Sequence, residues 1–312
     1  MNIAVDAMGG DHAPDCVLLG AQKLISENLI SSTITLVGNE KILQDRAKEL
    51  GVDLDAFHVV HAEETIGMEE HPTKAITQKR NSSINIGFHL LKEKKVDAFC
   101  GAGNTGAMMV GAMFSIKTIE GIIRPGIAGF FPKERGNYGI LLDAGANADC
   151  KADVLDQFAT VGSIYYKYLF EVDKPRVGLI SLGEEKSKGT LLTQAAHQLM
   201  DLNKNIDFVG NLEGSDLFLD TSDVIVCDGF TGNVLLKMGE SFYELLSKRG
   251  IQDDFLDLFN YQNMGGSPII GLNEDVIIGH GKSTPEAIKN MILLSERIAK
   301  SGVTEKMKKE LK

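Results

Sequence analysis

Six times in this chain an apolar run ends in a loop of small, polar and acidic residues, and a helix-like segment usually follows. The runs begin at Ile3, Ile34, Val96, Ile140, Val177 and Asp223. Runs of this length, rich in Val, Ile and Leu and bounded by glycine, read as strands buried on both faces. Strands that alternate with helices predict an α/β protein with a mostly parallel sheet and crossover helices. In such sheets ligands bind outside the carboxyl ends of the strands, which is where this chain keeps its Gly, Asn, Asp, Lys and Thr. The pattern predicts a ligand-binding α/β protein, and an enzyme in particular.

No Pro/Ser linker, low-complexity stretch or repeat divides the 312 residues, so one continuous domain over 1–312 is expected. Glycine supplies 33 of the 312, against roughly 7% on average, and much of the excess falls in the strand-end loops. A net charge of −11 argues against nucleic acid, whose phosphates demand a basic face, and against wholesale adsorption to anionic lipid. Cys16, Cys100, Cys150 and Cys227 are far apart, form no CxxC pair and have apolar neighbours. They are expected to be buried free thiols in a reducing cytosol. No signal peptide and no apolar run approaching about 18 residues is visible, so a cytoplasmic location is expected.

The loops differ in the chemistry they offer. In Asp6-Ala7-Met8-Gly9-Gly10-Asp11-His12-Ala13-Pro14 the two glycines allow a tight turn that brings N–H groups close to an anion, although a Gly-Gly pair is also often only a turn. Gly101-Ala102-Gly103-Asn104-Thr105-Gly106 fits GxGxxG, after a strand (96–100) and before a helix (107–114). The acid that a dinucleotide site needs at the end of the next strand is missing, because Glu120 lies in a Gly-Ile-Ile-Arg-Pro-Gly loop. An anion at the helix N-terminus is the better reading. Asp143-Ala144-Gly145-Ala146-Asn147 sets an acid and an amide at a strand end. Gly183-Glu184-Glu185-Lys186-Ser187-Lys188-Gly189 offers two lysines ahead of a helix over 190–202, although such a run is also a plain solvated one. Asp228-Gly229-Phe230-Thr231-Gly232-Asn233 joins acid, hydroxyl and amide, and Gly279-His280-Gly281-Lys282-Ser283 precedes a helix-start signal.

Other features read as structural. His58 and His61 lie three apart in a strand-like run and point to opposite faces, so they cannot share a metal. His197 sits inside a helix as a surface or core residue. HExxH, the Walker lysine motif and the Gly-x-Ser-x-Gly elbow are all missing, which leaves a hydrolase triad without an anchor. No metal and no cofactor are expected.

Taken together the loops resemble the bacterial phosphate acyltransferases of phospholipid synthesis, which turn acyl-[acyl carrier protein] and inorganic phosphate into acyl phosphate. The resemblance runs in order along nearly the whole chain. It includes Asp6 to Asp11 with Ala13-Pro14, then Pro72, Ala75, Lys79 and Ser82-Ser83, Ala102 to Ala107, Arg124-Pro125, Asp143 with Gly145-Ala146-Asn147, and Gln157-Phe158-Ala159. It continues through Gly183-Glu184-Glu185 with Lys188-Gly189, Gly210-Asn211 with Glu213-Gly214, Asp228 to Asn233, Lys237, Gly265-Gly266 with Pro268, and His280-Gly281 with Ser283. Thr77 stands where an arginine is expected, and Ala152 where a proline is usual. The resemblance implies a Rossmann-like three-layer sandwich of the isocitrate/isopropylmalate dehydrogenase-like kind, shared with phosphotransacetylases, and a homodimer. The alternative function is a phosphotransacetylase using acyl-coenzyme A.

For that reaction Gly9, Gly10, Gly103, Asn104 and Gly106 are expected to hold phosphate through N–H donors, helped by Lys79 or Lys188 as a point charge. Asn233 and Thr231 would donate to the thioester oxyanion, with Asp143 and Asn147 at the same substrate end. Asp228 would orient Lys188 or His280 or position phosphate, and His280 would protonate the leaving sulfur. The acidic acyl carrier protein needs a basic patch, for which Lys92, Lys94 and Lys95, or Lys300, Lys306, Lys308 and Lys309, are candidates. Phe255, Leu256, Leu258 and Phe259 form an apolar cluster in a helix-like stretch over 253–261, suited to peripheral membrane contact or to a dimer interface. Family members are also expected to feed a downstream membrane acyltransferase.

Overall fold

The computed structural model describes all 312 residues. Residues 1–117 form β1 (Asn2–Asp6), α1 (Asp15–Ser26), β2 (Thr33–Gly38), α2 (Glu40–Leu50), β3 (His58–His61), α3 (Pro72–Gln78), α4 (Ser83–Lys92), β4 (Ala98–Gly101) and α5 (Thr105–Ser115). Residues 118–260 form β5 (Gly126–Pro132), β6 (Tyr138–Leu142), α6 (Ala152–Phe170), β7 (Arg176–Ile180), α7 (Leu191–Leu202), β8 (Asp207–Leu212), β9 (Val224–Val226), α8 (Gly229–Lys248) and α9 (Asp254–Asp257). The remainder forms α10 (Tyr261–Met264), β10 (Ser267–Ile270), β11 (Asp275–Ile278), α11 (Pro285–Ser301) and α12 (Val303–Glu310). The chain groups into two compact units. Unit 1 is Met1–Lys117 with Tyr261–Ser301, and unit 2 is Thr118–Asn260 with Gly302–Lys312.

In unit 1 the strands lie in the order β3-β2-β1-β4-β11-β10. All pairs are parallel except β10 with β11. The register pairs Ile3 with Ile34 and Val5 with Cys100, so that Ile3, Val5, Leu36 and Phe99 are wholly buried. Phe88 meets Phe99 edge to face, with centroids 5.0 Å apart. The chain steps outward from β1 to β3 and then returns to the other side of β1 as β4. Accordingly α1 packs on α2 and α11, whereas α4 packs on α5 and on β1, β2 and β4. The reversal makes the carboxyl ends of β1 and β4 a topological switch point, where a crevice opens in folds of this type.

In unit 2 the order is β5-β6-β9-β7-β8, with β5 antiparallel to β6 and the rest parallel. Val177, Leu179, Val224, Ile225 and Val226 are completely buried, as strands covered on both faces should be. α6 lies over β6, β9 and β7 beside α7 and α12, and α8 covers β5 and β6. Each unit is thus a sheet between helical layers, the α/β sandwich expected.

The sequence expectations differ from the structure in two places. The stretch 253–261 is not one helix: α9 ends at Asp257 and α10 begins at Tyr261. Its apolar cluster is half-buried within unit 2, where the Phe259 ring stands 5.0 Å from Phe218 and 5.5 Å from Phe255. Of the four cysteines, Cys100 and Cys227 are buried, but Cys16 and Cys150 are only half-buried. No helix is long and apolar enough to cross a membrane.

Candidate active site

In unit 1 the site begins with a buried carboxyl. Asp6 ends β1 at 1% exposure, and its Oδ1 accepts the Met8 N–H at 3.1 Å. Burial pushes this carboxyl above the usual carboxylate range. The backbone of Gly9 passes so close that a Cβ there would lie 2.3 Å from Asp6 Oδ2 and 2.7 Å from the Gly103 nitrogen, so only glycine fits. The loops that follow β1 and β4 are therefore in backbone contact. A third strand-end loop joins them: the Gly279 N–H donates to Gly101 O at 2.9 Å and the Asp11 N–H to Gly281 O at 2.8 Å. Gly9, Gly10, Gly103 and His280 are brought together this way. His280 stacks on Tyr261 with centroids 4.9 Å apart, and its Nδ1 accepts the Lys282 N–H at 3.2 Å. That bond leaves the proton of the neutral ring on Nε2.

Two expected phosphate ligands in this unit are committed elsewhere. The Asn104 Oδ1 caps α5 by accepting the Ala107 N–H at 3.0 Å. Its Nδ2 donates to the carbonyls of Gly67, Met68 and Glu70 at 2.9–3.2 Å. The side chain is a staple, so only the backbone N–H groups of Asn104 and Gly106, at the start of α5, fit the expected role. Lys79 is a correction: its Nζ lies 2.5 Å from Glu70 Oε1 and donates to Thr65 O at 2.7 Å, pinning the 65–70 segment instead of standing as a free cation.

Unit 2 has its own pair of interlocked loops. Asp143 is wholly buried. Its Oδ1 accepts the N–H groups of Ile127, Gly145 and Ala146 at 3.0–3.1 Å, and its Oδ2 accepts the backbone and side-chain N–H of Asn147 at 2.7 and 2.9 Å. The Asn147 Nδ2 also donates to Pro125 O at 2.8 Å. Asp143 has no capacity left for substrate and the Asn147 amide has no N–H left to donate, which corrects the substrate role expected of Asp143 and any donor role of Asn147. α8 is pressed onto this loop: the Gly229 N–H donates to Asn147 O at 2.8 Å, and a Cβ at Gly232 would stand 2.0 Å from Asp143 O. Asp228 caps α8 by accepting from Thr231 N at 2.8 Å and from Thr231 Oγ1 at 2.9 Å. A hydroxyl has one proton, and that of Thr231 is spent on Asp228. Thr231 is therefore corrected from oxyanion donor to partner of the cap, and Asp228 from orienting acid to helix cap.

Two expected residues keep the capacity for chemistry. The exposed Asn233 lies one turn into α8, with a single long bond from Nδ2 to Ala144 O, 3.4 Å. Lys188 is exposed on the loop that joins β7 to α7. The thiols are not nucleophiles at neutral pH: burial pushes Cys100 up to about 12, and burial with Asp143 and Asp228 nearby pushes Cys150 up to about 11.

The basic clusters are largely paired. Lys94 meets Glu274 at 2.5 Å, Lys300 meets Glu296 at 3.0 Å and Lys308 meets Glu305 at 2.6 Å, while Lys306 sits 4.6 Å over the Tyr168 ring. Lys94 and Lys95 directly precede β4, at the amino end of that strand and away from its glycine loop. Sequence reasoning also missed the long apolar face of α8, where Phe230, Val234, Met238, Phe242 and Leu245 are 48–68% exposed. The four-residue recurrence of Phe230, Val234, Met238 and Phe242 was the signal for it.

A family described as "Fatty acid synthesis protein" matches residues 1–253. The chain is 42% identical over 316 residues to the phosphate acyltransferase of Syntrophomonas wolfei, covering 100% of this chain and 98% of that protein. It is 41% identical to the phosphate acyltransferase of Dictyoglomus thermophilum, covering 98% and 96%. Among solved structures it is similar in fold to a phosphotransacetylase from Streptococcus pyogenes, with TM-score 0.70, 18% identity and 96% and 94% of the two chains covered. It is also similar to the 4-hydroxythreonine-4-phosphate dehydrogenase of Klebsiella pneumoniae, with TM-score 0.60, 14% identity and 96% and 99% covered. The chain belongs to the phosphate acyltransferase family of fatty acid and phospholipid synthesis.

Proposed function

We propose that this enzyme transfers the acyl group of a fatty acyl-[acyl carrier protein] to inorganic phosphate. A phosphate oxygen attacks the thioester carbonyl, the tetrahedral intermediate collapses with cleavage of the C–S bond, and the proton carried by hydrogen phosphate ends on the leaving thiol. The nucleophile is already an anion and the thiol is acidic, with a pKa of roughly 8.5 for a cysteine-like group, so no triad is needed. Orientation can lower such a barrier by ~7–11 kcal/mol and one oxyanion donor by about 2.7–4 kcal/mol.

The observation that carries this reading is the glycine-lined junction of the loops after β1, β4 and β11, where Gly9 and Gly103 touch through backbone. In this reading the N–H groups of Gly9, Gly10, Gly103, Asn104 and Gly106 bind phosphate. Lys188 supplies the point charge, Asn233 donates to the oxyanion, and the His280 Nε2–H donates a hydrogen bond to the departing sulfur, which takes its proton from hydrogen phosphate. The full-length similarity to the relatives supports treating 1–312 as one functional domain. The resemblance supports a cytoplasmic enzyme that touches the bilayer peripherally and hands acyl phosphate to a membrane acyltransferase. The exposed apolar face of α8 fits the surface on which a homodimer forms.

The test is thiol release from long-chain acyl-[acyl carrier protein] with and without phosphate, with acyl-coenzyme A in parallel. Release only with carrier protein and phosphate is the expected result. Preference for the coenzyme would move the reading to a phosphotransacetylase, and release from neither would overturn it.

A further inference from the structure

The pair Gly210-Asn211 belongs to the family resemblance, yet no role follows for it from the reaction. The structure gives it one. Asn211 lies on β8, the strand beside β7, at 6% exposure. Its Nδ2 donates to Gly183 O at 3.2 Å and to Glu185 O at 3.1 Å. Its Oδ1 is 2.8 Å from Nδ1 of His197, which is 4% exposed on α7 and edge-on to Phe208 at 5.1 Å. Both amide N–H groups point at carbonyls, so Oδ1 accepts and His197 supplies the Nδ1 proton. This bond locks the amide against a flip, which would turn its oxygen onto the two carbonyls.

The other half of the loop is held from α7. Gln194, three residues before His197, donates from Nε2 to Ser187 O at 2.9 Å and to Gly189 O at 3.1 Å. Ser181 Oγ donates to Lys188 O at 3.3 Å. Five of the seven carbonyls of residues 183–189 are thus taken by side chains from the flanking strands and helix. Lys186 is turned back onto Asp201 at 2.7 Å, and Lys188 is left exposed on the clamped loop.

We infer that Asn211 and Gln194 are positioning residues that fix the direction of Lys188, with His197 holding the Asn211 amide in its working orientation. This rests on the reading of Lys188 as the cation that serves the phosphate. A loop whose carbonyls are unheld samples many backbone states, and a misplacement of about 1 Å in a reacting group costs up to about 100-fold in rate.

The experiment compares Gln194→Met, Asn211→Ala and Lys188→Ala, alone and combined, in phosphate-dependent thiol release. Gln194→Met keeps the length of a half-buried side chain and removes its donors, so it remains a folded test even if Asn211→Ala does not fold by circular dichroism. The expected result is a fall of about 10- to 100-fold in kcat, with KM for phosphate within about twofold of the parent. In the Lys188→Ala background neither change should cost anything further, because both act through that lysine. A general loosening of structure would instead lower the residual rate again. Impaired Lys188→Ala together with a normal Gln194→Met, or losses that multiply, overturns the clamp and leaves the reading of Lys188 intact. A fully active Lys188→Ala overturns that reading, and the clamp with it.

Discussion

Gly9 shows what a single residue decides here: it lets two strand-end loops touch through backbone. Gly9→Ala is expected to push the β1 loop off Gly103, raising KM for phosphate at least about 10-fold while the sheet stays folded. Phosphate titration of the rate, alongside circular dichroism, checks this. Gly232→Ala should act likewise in unit 2, since its Cβ would meet Asp143 O at 2.0 Å. There the expected loss is in kcat, because Asn233 moves with α8. Sequence reasoning found these loops but could not rank the polar side chains within them. A carboxylate, amide or hydroxyl at a strand end either turns back on its own loop or faces out, and the choice depends on backbone directions that composition does not carry. Asn104, Asp143, Asn147, Asp228 and Thr231 turn back. Lys188 and Asn233 are exposed, and the buried Asp6 and Asn211 were named in the sequence without a role.

At the scale of elements, buried parallel strands were legible because each is a short apolar run closed by glycine, rich in Val, Ile and Leu in every case but β4. β1, β2, β4, β6, β7 and β9 all follow that rule. β5 was not legible: its Gly-Ile-Ala-Gly-Phe-Phe-Pro run is broken by glycine and closed by proline, and it pairs antiparallel with β6. β8 and β10 escaped for the same lack of a clean apolar run. Helix starts were better marked, with Asn39, Ser82, Asn104, Thr190 and Asp228 each accepting a backbone N–H as caps. Asn104→Ala removes a cap and the amide nitrogen that faces three carbonyls of the 67–70 segment, so it should lower stability by about 2 kcal/mol. Urea unfolding measures this, and a loss under about 0.5 kcal/mol would refute the staple.

At the scale of the whole molecule, stability should depend on pH through buried ion pairs. Lys133, 1% exposed, meets Asp223 at 2.6 Å and Asp220 at 2.8 Å, and Arg176 reaches both aspartates. Burial alone would raise Asp223, but Arg176 and Lys133 hold it down at about 2. Glu296, bound by Ser32, Lys300 and Ser31 against its own burial, is likewise held at about 2. Both folded values lie below the unfolded ones, so this stabilisation is complete above about pH 4.5 and drains away as pH falls toward 2. Asp223→Asn should lower stability at pH 7 by about 3 kcal/mol and flatten the acid limb of a denaturation series; an unchanged acid limb would contradict the assignment. Assembly belongs to the same scale: the chain should sediment at twice 33.9 kDa, and Phe242→Glu, on the apolar face of α8, should return it to monomer. The most direct test of the account is phosphorus NMR of the reaction with oxygen-18-labelled phosphate and long-chain acyl-[acyl carrier protein]. Attack by phosphate on the thioester carbon predicts a new acyl phosphate resonance that keeps all four labelled oxygens, in step with thiol release. Free fatty acid appearing with thiol, and no new phosphorus resonance, would contradict it.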